Sequence, residues 1–188
     1  MNLQHLNLKI FTEESAKKIP FENYIPVFHS WIQKKVTQEM LLDVADYAHV
    51  PQGPGVILIA HQANISMDEN EGRLGFLYNR KVKEEGSNEE KIERLFKWTF
   101  AHAKRLQGEA TLKENLKFKA GSLQLIVNDR LLVPNTEENA QAVESELKKV
   151  LQKIYGTSSA KISRHTDPRE RLILDIEIET NKKFEEIA

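Results

Sequence analysis

Two histidines flank the densest turn signal in the chain. In DVADYAHVPQGPGVILIAHQANISMD, residues 43–68, Pro51, Gly53, Pro54 and Gly55 lie between His49 and His61. Paired imidazoles are what a zinc ion or an acid–base centre would use. A hairpin closed by PQGP would set Val50 opposite Gly55 and His49 opposite Val56, leaving Val44 to face His61. That offset separates the two rings by about 16 Å at about 3.3 Å per residue, whereas a zinc ligand comes within about 2 Å of its metal. The pair cannot share an ion inside this hairpin, and a one-residue slip changes faces without closing the gap.

Each histidine is then weighed singly. His61 follows the apolar run Val56–Ala60, which predicts a strand covered on both sides. A hydrogen-bonded ring near the core edge is one expectation. The other is a pocket, because Asn64, Ser66 and Asp68 share a strand face and Glu69, Asn70 and Arg73 crowd the turn that follows. A small-molecule enzyme here would use His61, Asp68 and Arg73. The spacing argues against a His61–Asp68 dyad: an extended strand would hold them about 23 Å apart, and Asn64–Asp68 contains no Gly or Pro to turn the chain. His49, beside the turn, is expected to be a solvated ring.

Two further constellations could bind rather than catalyse. In NDRLLVPNT, residues 128–136, Asn128 and Asp129 suit a turn, and Arg130 could clamp a carboxylate or phosphate or simply pair with a surface acid. Trp98 and His102 stand one helical turn apart, and with Arg94 and Arg105 they could form an aromatic, basic face for a partner. Glu137 and Glu138 in the first turn of the following helix oppose anion capture at that helix end. No phosphate loop, dinucleotide fingerprint, serine elbow or H-E-x-x-H motif occurs. No cofactor is expected.

These residues need elements to hold them. NLKIF (7–11) alternates as a strand, and 24–35 carries Tyr24, Val27, Phe28, Trp31 and Ile32 at helical spacing. Residues 41–50, 55–67 and 72–82 read as strands. Ser87-x-x-Glu90 is a capping box opening a helix to about Leu106, with Ile92, Leu95, Phe96, Thr99 and Ala103 on its apolar face. Residues 116–119 and 122–134 are expected to be extended. Thr136 caps a helix through Tyr155 whose stripe is Ala140, Val143, Leu147, Val150, Leu151 and Ile154. Strands over about 160–165 and 171–179 close the chain. The order predicts one α+β domain over 1–188, a mainly antiparallel sheet of six to eight strands with about three helices. AHVPQGPGVILI and RHTDPRERLILDI echo one another, so a duplicated strand–helix–strand–strand unit stands beside chance recurrence.

Composition bounds the rest. The chain has 188 residues, 27 basic and 28 acidic, for a net charge of −1. That balance gives no global pull toward nucleic acid or an anionic membrane. The absence of cysteine removes disulfides, thiolate metal sites and a Cys nucleophile. The start lacks a basic segment followed by an apolar one, and no run is long enough to span a bilayer, so a cytoplasmic protein is expected. DVADYAHVPQGPGVILIAH, GRLGFLYNRK and NDRLLVPNT resemble segments of uncharacterised bacterial proteins of about this length. The resemblance implies a bacterial cytoplasmic origin and carries over no functional residue.

Two classes of function stay open: a non-catalytic binding or assembly protein, in one form a homodimer, and the small-molecule enzyme around His61, Asp68 and Arg73. No metal is expected, since the six histidines show no ligand spacing. Elemental analysis of untagged protein is the check, and a stoichiometric transition metal would contradict the expectation.

Overall fold

The computed structural model describes residues 1–188. Strands β1 (Leu6–Thr12), β2 (Leu41–Tyr47), β3 (Gly55–Ala60), β4 (Ala63–Asp68), β5 (Gly75–Arg80), β6 (Phe118–Val127), β7 (Lys161–Arg164) and β8 (Leu172–Glu177) make one sheet in the order β2-β3-β4-β5-β1-β6-β8-β7. Every neighbouring pair is antiparallel. Helices α1 (Tyr24–Lys34), α2 (Asn88–Gln107), α3 (Glu137–Tyr155) and the short α4 (Phe184–Ile187) complete the domain. The α+β class with a largely antiparallel sheet is as the sequence predicts. No helix is long and apolar enough to cross a membrane.

The helix ends follow their local chemistry. The Ser87 hydroxyl accepts from the Glu90 N–H while the Glu90 carboxylate accepts from the Ser87 N–H, so two orphan donors at the start of α2 are satisfied. Thr136 caps α3 by accepting from the Asn139 N–H. Gly156, left-handed at φ 76°, ends it. The apolar faces of all three long helices pack on one side of the sheet, forming a single core with Leu6, Leu8 and Ile10 of β1, Leu58 of β3, Ile65 of β4 and Leu123 and Leu125 of β6.

Three expectations are corrected. The strand predicted over 55–67 is a hairpin, reversing at His61–Gln62 without Gly or Pro. The turn is held instead by β2: the His61 N–H donates to the Met40 carbonyl and the Gln62 side chain accepts from the Met40 N–H. The β2–β3 register pairs Tyr47 with Gly55 and Val44 with Leu58, so the connection runs from Ala48 to Pro54 and includes His49 and Val50. Gly55, at φ 61°, is required there, because a Cβ would sit 2.1 Å from the Met67 carbonyl oxygen. Finally, the two extended pieces predicted across 116–134 are one strand, β6, followed by turns from Asn128 onward. The two echoing hairpins occupy opposite sheet edges, but β4 and β5 separate β3 from β1 whereas β8 pairs with β6 directly. A strict duplication does not describe the arrangement.

Leu147 of α3 is fully buried. Leu147→Ala should therefore lower the unfolding free energy by about 2–5 kcal/mol in denaturant titration. A loss below about 1 kcal/mol would show that α3 docks through another face.

Candidate functional site

The sheet face opposite the helices carries the polar chemistry. Its register aligns Ile57, Ser66, Leu77, Lys9, Gln124 and Asp175 in one row across six strands. The next row is Ile59, Asn64, Asn79, Asn7, Ile126 and Ile173. Alternation along each strand dictates this: in β1, Leu6, Leu8 and Ile10 point to the helices, so Asn7 and Lys9 point away. No helix covers that side, yet Asn7, Lys9 and Gln124 are only 1%, 2% and 5% exposed.

The burial arises because the face is concave and its rims meet. β4 and β8 are four strand spacings apart, about 19 Å if the sheet were flat. Nevertheless Glu71, just after β4, lies 3.7 Å from Nδ1 of His165, which directly follows β7 and donates through its N–H to the Ile173 carbonyl of β8. Arg73, just before β5, donates to Asp175 of β8 at 3.0 Å across the intervening β1 and β6, and Arg171 donates to Asn128 at 2.7 Å between the neighbouring β8 and β6. The trough so formed encloses about 520 Å³, with Asn7, Asn64, Ser66, Asp68, Asn79 and Gln124 among its walls and Ile57, Leu77, Ile126 and Ile173 between them.

An ion pair anchors the trough. Lys9 Nζ lies 2.5 Å from Asp68 Oδ1, both side chains being 2% exposed. The lysine stem crosses β5 at Gly75, where a Cβ would come within 2.8 Å of Lys9 Cε and 2.7 Å of the Ile10 carbonyl oxygen. Burial draws the Lys9 ammonium below the usual lysine range, against the opposing attraction of Asp68. Asp68 Oδ1 also accepts from the Asn70 N–H, whereas its Oδ2 and Asn64 Oδ1 are buried without a protein partner. Asp175, at the trough's end, accepts from Gln124, Arg73 and His165. Burial alone would raise its pKa; the hydrogen bonds from His165 and Gln124 and the Arg73 charge outweigh it and hold the carboxyl below its ordinary value.

A second buried cluster lies on the helix side. Glu39, from the α1–β2 loop, accepts from the Tyr78 hydroxyl at 2.8 Å and lies 3.1 Å from His102 Nε2. His102 Nδ1 is 2.6 Å from the Trp98 carbonyl oxygen. A carbonyl only accepts, so Nδ1 carries a proton, and Nε2 must donate as well if Glu39 is ionised. Burial would raise the Glu39 pKa, but the bonds from His102 and Tyr78 prevail and bring it from 4.5 to about 2. Glu39 is thus held as a carboxylate between two donors. Arg80 stacks over the Trp98 ring at 4.4 Å.

The sequence candidates scatter among these places. Asn64 and Asp68 line the trough together. His61 is exposed at the β3–β4 turn, neither enclosed by its pleat neighbours nor in the cavity, and lies at the far end of β4 from Asp68. Arg73 stands at the trough's rim, stacked 3.6 Å over Phe11 and paired with Asp175. Arg130 is exposed beside His5, Arg80 and Lys81, bordering a separate shallow depression. Trp98 and His102 do meet, joined by Glu39 and Tyr78, while Arg94 turns away to Glu84 and Glu85. The sequence reading missed Asn7, Lys9, Asn79, Gln124, Glu39 and Asp175. Its one available signal was the polar half of NLKIF, which in an open sheet would simply meet water.

Glu39 makes a pH dependence. Its carboxyl is depressed in the fold, so its contribution is complete above the ordinary value of 4.5 and is lost as pH falls through about 2. Glu39→Gln should flatten the stability profile in that window, measured by urea titration at successive pH values. An unchanged slope would mean the Glu39–His102 pair is not formed.

No protein-family model matches the chain, nor does any curated protein or solved structure.

Proposed function

We propose that the chain is a non-catalytic binding protein whose trough holds a small, uncharged, hydroxyl-rich molecule. The observation that carries this is the pair of buried acceptors, Asn64 Oδ1 and Asp68 Oδ2, left without protein partners in the wall of a polar cavity. A buried acceptor without a donor costs about 1–3 kcal/mol, so the fold maintains a deficit that a ligand hydroxyl or N–H would relieve. Side-chain amides offer donors and acceptors together and carry no charge; in the trough the Asn64 side chain makes no hydrogen bond to protein, Asn79 keeps its amine and Gln124 its carbonyl free, while Asn7 is taken up by Asn128. The Asp68 charge is offset by Lys9. Leu77 and Ile126 would pack against the apolar edges of a ring or chain. The volume leaves room for a monosaccharide or a larger molecule.

Binding is favoured over catalysis by the engagement of the ionisable groups. Asp68 is held by Lys9, Glu71 lies beside His165, Arg171 donates to Asn128, Asp175 at the rim accepts from three donors, and no histidine borders the cavity.

Asn64→Leu tests the reading in two opposite directions. Removing the unpartnered oxygen at nearly constant volume should stabilise the free protein by about 1 kcal/mol. It should also weaken, by about tenfold, the binding of neutral monosaccharides or inositol followed by saturation-transfer NMR. Ser66→Trp, which fills the trough, should abolish that signal. Failure of every such compound to bind the unmodified protein, or equal binding by Ser66→Trp, would overturn the proposal.

A further inference from the structure

The helix side carries a second cavity, of about 510 Å³, between the α1–β2 loop and one face of α2. Lys35 and Gln38 border it from the loop, and Lys97, Trp98 and Arg105 from the helix, with Glu39 and His102 as its floor. In the floor, Glu39 is engaged by His102 and Tyr78. The cations of the walls are less fully paired. Lys97 pairs with Glu93 at 3.1 Å, but Lys35 and Arg105 have no carboxylate within 4.0 Å. Lys35 and Arg105 thus stand in the walls without a counter-charge of their own.

The loop adds unpaired donors. Lys35 sits in the left-handed region at φ 49°, turning the chain sharply after α1. The N–H groups of Thr37 and Gln38, just beyond, donate to no group in the molecule. Glu39 fixes this loop against β5 and α2, so the donors are held in place before any ligand arrives. Backbone N–H groups without a partner in the molecule can serve an anion when cations stand nearby.

We propose that this cavity is a site for a doubly charged oxyanion, namely a phosphate group, held by Lys35, Arg105 and the Thr37 and Gln38 N–H groups beside the Trp98 ring. It is independent of the trough, which lies on the other face of the sheet. Two uncompensated cations match a dianion in charge, and the guanidinium of Arg105 can meet two phosphate oxygens at once. The neutral composition of the whole chain gives no hint of such a site, because the excess is local.

The two tryptophans allow a direct test. Trp31 is 1% exposed and its indole donates to Glu109 at 2.7 Å, so its indole resonance serves as an internal reference for that of Trp98. Inorganic phosphate, titrated at constant ionic strength and followed by nitrogen–proton correlation NMR, should shift the Trp98 indole signal saturably and leave that of Trp31 in place. Lys35→Gln with Arg105→Gln should weaken the titration at least tenfold, whereas Arg94→Gln, outside the cavity, should leave it unchanged. If phenyl phosphate binds more tightly than inorganic phosphate, the anion belongs to an organic phosphate; if it does not, the free ion is the ligand, and either result supports the site. A shift that never saturates, or an identical titration in the double variant, would overturn it.

Discussion

A sheet with helices on one side only must either give its second face to water or close that face on itself. This chain does the second, and does it with polar side chains. Asn7 and Lys9 sit on β1, the fifth strand in an order of eight. Curvature buries them, so each must find partners inside the trough. A lysine that loses water needs a carboxylate close by. Asp68 provides it from β4, two strands away, and the path is open only because β5 has Gly75 where the lysine stem crosses. Register, glycine placement and ion pair are therefore a single constraint. A buried pair of this kind is weak evidence of net stability. Its consequence is geometric, since Asp68 held at one end and Asp175 at the other define the walls between them.

The trough and the helix-side cluster solve the same problem in different ways. In the cluster, carboxylate, phenol and imidazole all find partners: Glu39 is met by Tyr78 and His102, and His102 by the Trp98 carbonyl, while Arg80 Nε, without a hydrogen-bond partner, belongs to the guanidinium stacked on the Trp98 ring. The α1–β2 loop is thereby fixed to α2 and β5, elements remote from it in sequence. In the trough the partnership is incomplete, with two buried acceptors left over. Native proteins carry few such groups, and those that persist usually reflect a role beyond folding. That contrast separates a structural clamp from a surface built to receive something.

Helix boundaries, apolar faces and fold class were legible in the sequence because they depend on near neighbours. The Ser87–Glu90 box, the Thr136 cap and the stripe from Ala140 to Val150 are local patterns with local causes. Asn64 and Asp68 were legible for a similar reason, as polar residues spaced by two on one strand. His61 misled because an apolar run reads equally as one long strand or as two short ones. The reversal at His61–Gln62 depends on Met40, an edge contact from a segment twenty residues away that no local signal announces.

What only the tertiary structure decided is which polar residues are buried. Asn7 and Lys9 alternate with leucines in a pattern that an open, solvated sheet would share. Their burial comes from curvature, which brings Glu71 to His165 and Arg73 to Asp175 across intervening strands. Curvature is set jointly by all eight strands and by the helices packed behind them, and no single segment encodes it. The sequence by itself determined the elements and their inward faces, since periodicity and capping act within a few residues. The site arose from distances between residues far apart in the chain, such as Lys9 and Asp68, which exist only once the sheet has closed.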